Sequence, residues 1–162
     1  MITIYPTMPE DVRPIALNLR QADCDEIQAG SGKSPLQCLS DSVDCSIEVY
    51  TIFETKTMLP CGIFGIAPSD HAPFAAQIWC MGTDKLSFVG VGFLKESVAY
   101  VNKFQKQYPV LTNVVDCRNA VHIRYLEWLK FKFIRILPTY GIERRPFVEF
   151  CRIDQSPIVK SI

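Results

Sequence analysis

The 162-residue chain is 48% apolar, enough to build a genuine core within one domain. Its seventeen basic and seventeen acidic residues cancel, with a pI of about 6.7, so no global field draws it to nucleic acid or anionic lipid. No run approaches the roughly 18 apolar residues of a membrane span and Met1–Pro6 has neither part of a leader, so the chain is expected to be soluble and cytosolic.

In chain order, residues 2–5 begin a strand. Thr7 is placed as an N-cap, with Pro9, Glu10 and Asp11 suited to a first turn, and helix 1 carries Val12, Ile15, Ala16 and Leu19. Residues 20–26 continue it as a polar, acidic stretch that is either a solvated helix end or, through Asp23 and Glu26, the lining of a substrate cleft. Gly30-Ser31-Gly32-Lys33-Ser34 ends like a phosphate loop, but Ile27 stands where the first glycine must be and no buried strand precedes it. It is read as a flexible turn, with Ser34 capping a short helix from Pro35 to about Val43.

From Ile47 the period changes to two. Strands over 47–53, 58–67 and 75–81 form an antiparallel meander, joined by turns at 54–57 and 68–73. Ser87-Phe88-Val89-Gly90-Val91-Gly92 then opens a helix running from Phe93 to Tyr108. The apolar run 111–117 has the character of a central strand covered on both faces. Asn119 caps the next helix, whose face Val121, Tyr125, Trp128 and Leu129 is expected to pack inward. A strand over 132–137, a loop over 138–145 and a strand over 146–153 complete a domain spanning 1–153, with an irregular tail at 154–162. The loop's Arg144-Arg145-Pro146-Phe147 is either a contact site or a solvated turn. Seven cysteines, none in a Cys-x-x-Cys or zinc-like pair, read as reduced, buried small hydrophobes, and no metal is expected. His71 lies in a turn and reads as solvated.

This order implies an α/β (α+β) fold: a sheet with helices on both faces. Glycines at 90 and 92 let a backbone approach a ligand, and free N–H groups at a helix start hold a pyrophosphate. The alternative for this stretch is a closely packed strand-to-helix turn.

Residues 87–92, spaced from Trp79, resemble the pyrophosphate motif of the GCN5-related N-acetyltransferase (GNAT) family, Gln/Arg-x-x-Gly-x-Gly/Ala. Asn119 to Phe131 is similar to that family's Asn-x-x-Ala-x-x-Leu-Tyr-Glu-x-Leu-Gly-Phe segment, with Glu127, Leu129 and Phe131 in place. The resemblance implies a mixed, mostly antiparallel central sheet. It further implies acetyl-CoA as cofactor, held by Met81, Ser87, Val89, Gly90, Val91, Gly92 and Asn119, with pantetheine along Trp79 to Met81. Four positions depart from the pattern: Ser87 for Gln or Arg, His122 for Ala, Lys130 for Gly, and Leu126 where the family's general-acid tyrosine belongs. Tyr125 lies one residue earlier, about 100° away around the helix. The catalytic residues are therefore left open among Asp116, Glu26 and Tyr125.

Blocks 18–26, 79–83, 93–97 and 115–122 resemble the GNAT-like proteins of short-tailed phages, among them internal virion protein A. That resemblance implies an N-acyltransferase of unknown acceptor or, alternatively, a non-catalytic virion-assembly or host-interaction protein. Either would act in the host cytoplasm or the virion, with phage virion or host proteins as partners of the second.

Overall fold

The computed structural model describes residues 1–88 and 90–155. The order is β1 (Ile2–Pro6), α1 (Pro9–Ala16), α2 (Gln21–Gly30), α3 (Pro35–Cys45), β2 (Glu48–Glu54), β3 (Pro60–Pro68) and β4 (Ala75–Gly82). A 3-10 helix (Asp84–Phe88) leads into α4 (Gly90–Gln107), β5 (Val110–Asp116), α5 (Ala120–Trp128), β6 (Lys132–Tyr140) and β7 (Arg145–Ile153). The strands form one seven-stranded sheet in the order β1-β2-β3-β4-β5-β7-β6. Every pairing is antiparallel except that of β4 with β5. The expected mixed sheet, meander and central strand are all present.

Strand alternation sends successive side chains to opposite faces. From β3, Ile66 joins Phe104, Leu126, Phe131 and Phe150 beneath α4 and α5, whereas Ile63 joins Val12, Ile15 and Leu39 beneath α1 and α3. Helices therefore cover both faces. No helix among the described residues is long and apolar enough to cross a membrane.

Several expected boundaries move. Thr7 does not cap α1: its hydroxyl pairs with that of buried Thr51 at 2.9 Å, and Met8 is the N-cap, its N–H donating to Asp11 Oδ2 at 2.9 Å. Leu19 is not helical but forms a β-bridge with Thr83, so 21–30 is a separate helix and three helices precede β2. Helix α4 starts at Gly90 rather than Phe93. Strand β6 extends through Pro138 to Tyr140, which an edge strand tolerates because its outer N–H groups have no ladder to complete. The cysteines are all free, as expected, but only Cys61 is buried by surface exposure; Cys45 and Cys117 are exposed. His71 is exposed. Of the expected tail, 156–162 lie outside the described residues.

Candidate active site

The parallel pair β4–β5 is joined only at Ala75–Val110, Ala76–Leu111 and Gln77–Thr112. Beyond Gln77 the strands part; the Asn113 side chain of β5 still spans the gap to Ile78, and the Gly82 end of β4 is met from Arg20 and Asp23. Asn113 Nδ2 donates to the Ile78 carbonyl at 2.9 Å, the Gly82 N–H donates to Asp23 Oδ2 at 3.0 Å, and the Arg20 N–H donates to the Gly82 carbonyl at 3.0 Å. Cys80, midway, has no β5 partner. Backbone polar groups left open along a strand gap are the kind of edge a linear amide-bearing ligand can complete.

Two clefts meet at this gap. One, of ≈ 440 Å³, lies between the start of α4 and one side of α5 along its length; Arg20, Ser87, Gly90, Val91, Arg124 and Trp128 line it, and none of its described lining residues is acidic. The other, of ≈ 310 Å³, lies on the α2–α3 side; Asp23, Glu26, Trp79, Met81, Tyr140 and Phe147 line it, and none of its described lining residues is Lys or Arg. Cys80 and His122 border both. Sequence reading missed this junction: His122 registered only as a replacement for alanine. The usable signal was that 119, 122, 125, 126 and 129 share the inward face of α5.

Helix α5 is rotated by about one residue from the expected face. Val121 and Trp128 are exposed, whereas Leu126 and Leu129 are buried. Leu126 is thus a core side chain. Tyr125 turns toward the junction, its ring stacked on Phe93 at 5.3 Å and its hydroxyl donating to Ser97 Oγ at 2.7 Å. Burial raises its pKa, so the hydroxyl keeps its proton.

Asn119 caps α5 as expected, its Oδ1 accepting from the His122 N–H at 3.3 Å. Its Nδ2 donates to Glu26 Oε2 at 3.0 Å and to Asp23 Oδ1 at 3.3 Å, and the residue is buried. Its amide is therefore committed within the protein, between two carboxylates. Arg20 Nη2 also holds Asp23 Oδ2, at 3.0 Å. Among the described residues Glu26 has no such cation. Burial pushes its carboxyl up to about 7, with the charges of Asp23 and Asp116 adding to the rise and hydrogen bonds from the Asn119 side chain and the Asp116 backbone opposing it. Asp116 differs: against the upward push of burial, Arg118 at 2.7 Å holds it below the ordinary aspartate value. Burial brings His122 down to about 4 and Cys80 up to about 12, so the junction holds a neutral imidazole and a protonated thiol.

Of the residues expected to hold cofactor, Ser87, Gly90 and Val91 border the cleft bearing Arg20 and Arg124, and Met81 borders the acidic one. Gly92 lies in the first turn of α4; Val89 is outside the described residues. Gly90 takes φ +62°, and a Cβ at Gly90 or Gly92 would meet no atom of the described residues within 4 Å. A helix N-terminus beside two arginines, continuous with a strand gap, fits a pyrophosphate with an amide-bearing arm. The Arg144–Phe147 stretch is neither wholly loop nor wholly solvated: Arg145 begins β7 and pairs with Glu143, and Phe147 is buried. Among the described residues no group of His, Cys, Asp or Glu is arranged to hold a metal ion.

No protein-family model matches the chain, and no curated protein matches it in sequence. Solved structures do match in fold. The ribosomal-protein-S18-alanine N-acetyltransferase of Escherichia coli superposes with a TM-score of 0.67 at 14% identity, covering 100% of both chains. A GCN5-related N-acetyltransferase of Kribbella flavida gives 0.68 at 13% identity over 94% of this chain and 97% of its own. The Bacillus subtilis acetyltransferase solved in complex with CoA gives 0.64 at 11% identity over 94% and 97%.

Proposed function

We propose, from the GNAT fold of this chain as premise, that it is an acyl-CoA-dependent N-acyltransferase. The observation that carries the reading is the meeting of two clefts of opposite character at the parted β4–β5 edge, one bordered by arginines and a helix N-terminus, the other by carboxylates. A bound acyl-CoA supplies an acyl group activated as a thioester. In this reading the N–H groups at the start of α4, around Gly90, Val91 and Gly92, hold its pyrophosphate together with Val89, Ser87 and Arg124. The open β4 edge at Cys80, next to Met81, takes the pantetheine amides. Asn119, whose amide is spent on Asp23 and Glu26, serves as a positioning residue.

Glu26 is the base. It borders the acidic cleft without a cationic partner among the described residues and ionises near neutrality, so it can accept a proton from an acceptor ammonium. Asp23 is already bound to Arg20, the Gly82 N–H and Asn119. Tyr125 retains its proton and supplies the polar O–H on the opposite side of the junction.

Replacing Gly90 by Asp sets negative charge in front of the α4 N–H groups, in space that no atom of the described residues fills. Calorimetric titration with acetyl-CoA is expected to give binding for the native chain and a loss of at least roughly tenfold for Gly90→Asp. Unchanged affinity in the variant would refute this placement.

A second reading draws on β6, whose edge position leaves Ile134 and Ile136 54% and 65% exposed. In it the chain is a GNAT-fold virion-assembly or host-contact protein of a short-tailed phage, working in the host cytoplasm or the virion. An infectivity and particle-composition assay after gene deletion tests it; no change in either would remove it.

A further inference from the structure

Resting on the acyl-transfer reading, we infer that the acceptor is a small monoamine with an uncharged, largely apolar body and no carboxylate beside its amine. The acidic cleft carries the argument. Its described lining residues include two carboxylates, Asp23 and Glu26, and no Lys or Arg. Two helices add to the same sign. Gly30 and Ser31 at the end of α2, and Ser42 and Cys45 near the end of α3, border the cleft, and helix C-termini carry partial negative charge. The one imidazole on the lining, His122, is neutral.

An ammonium entering such a cleft meets the Glu26 carboxylate and the two helix C-termini, the Asp23 charge being already matched by Arg20. An acceptor with a carboxylate beside its amine would strip water from that carboxylate with no cation to receive it, so free amino acids are rejected by an uncompensated charge. The number of amines follows from how the two acids are used. Asp23 is saturated by Arg20, the Gly82 N–H and Asn119, which leaves Glu26 to serve one ammonium. A polyamine would find no second free carboxylate among the lining residues.

The remaining walls select the body. Trp79, Tyr140, Phe147 and Ile27 face the same space, and the Trp79 Nε1–H is already given to Ser46 Oγ at 2.9 Å, so its ring presents an apolar surface. At ≈ 310 Å³ the cleft lies at the small end of ligand sites, roughly 300–1,000 Å³. Two of its walls are tied together: the N–H groups of Ile142 and Glu143, at the tip of the β6–β7 hairpin, donate to the carbonyls of Gly30 and Ala29, both at 3.2 Å. The hairpin and α2 thus hold one side of the site closed.

The probe pair is 2-phenylethylamine and L-phenylalanine, which share a ring and an amine and differ in one carboxylate. Calorimetry on the full chain at mildly alkaline pH is expected to show the amine binding at least roughly tenfold more tightly than the amino acid. Glu26→Gln, which keeps an acceptor for Asn119, is expected to weaken the amine severalfold. Equal or tighter binding of phenylalanine or spermidine would overturn the inference, as would no binding of the amine at millimolar concentration. A parallel acetyl-CoA titration separates the two claims. Failure of acetyl-CoA to bind, with the amine preference intact, would remove the transfer reading and leave the amine pocket standing.

Discussion

In the acyl-transfer reading, Glu26 is the residue on which the chemistry turns. Asp23 faces it from its own helix, Asp116 from the end of β5 and the Asn119 amide from α5. Burial raises its carboxyl from 4.5 to about 7, so the ionised, proton-accepting form appears only as pH rises through neutrality. Acyl transfer is therefore expected to climb with pH to a plateau above about 7. Glu26→Gln should reduce turnover by roughly 10²–10⁴-fold, as removal of a general base does, and should abolish that limb. A pH–rate profile of both proteins checks this; an unaltered limb in the variant would assign the base elsewhere. The same shift has a stability consequence. Between 4.5 and about 7 the folded state holds more protons at this site than the unfolded chain, so stability falls as pH rises through that window. Denaturant melts should show Glu26→Gln more stable than the native chain above pH 7, by roughly 1–3 kcal/mol. Loss of stability in the variant at that pH would contradict the burial-driven shift.

At the level of elements, α5 explains most of what sequence reading saw and what it missed. Asn119 and Phe131 were legible as the ends of this helix because capping chemistry and a buried aromatic leave local signatures. The helix stops in a left-handed residue, Lys130 at φ +67°, with the Phe131 N–H returning to the Leu126 carbonyl at 3.0 Å. That is the position at which the GNAT pattern carries glycine. Lys130→Gly is accordingly expected to stabilise the protein by about 1 kcal/mol in thermal melts, and a loss would mean that the lysine side chain contributes more than the strain costs. The inward face was legible only in part: 122, 125, 126 and 129 recur at helical spacing, but Val121 and Trp128 are apolar too, and the packed neighbours show that they are the exposed pair. Likewise α2 was hidden, because the Leu19–Thr83 bridge that separates it from α1 is a contact across the fold. The β6–β7 hairpin docks on α2 through Gly141, at φ +71°, where a Cβ would collide with the Ala29 carbonyl. Gly141→Ala should therefore cost about 1–3 kcal/mol, read by denaturant unfolding; a neutral result would mean that this docking is loose.

Across the whole molecule, the sheet does two things. Its two faces bury separate apolar clusters under separate helices, and its one parallel pair opens after three paired positions. The opening places α4 and its N–H groups on one side and the Asp23–Glu26–Asn119 cluster on the other, with Cys80 and His122 between. The succession of elements along the chain and the glycine-bearing turn were readable from period and spacing. The division of charge between the clefts was not, because Arg20 and Glu26 at α2, Tyr140 in β6 and Arg124 in α5 are brought together only by the fold. The central claim is that a phosphate-bearing cofactor and an amine enter from opposite sides and meet at that junction. The most direct test is a crystal structure of the protein with CoA. The account predicts pyrophosphate at the N–H groups around Gly90 and the thiol beside Cys80 and His122. CoA in the acidic cleft, or at a surface remote from the β4–β5 gap, would contradict it.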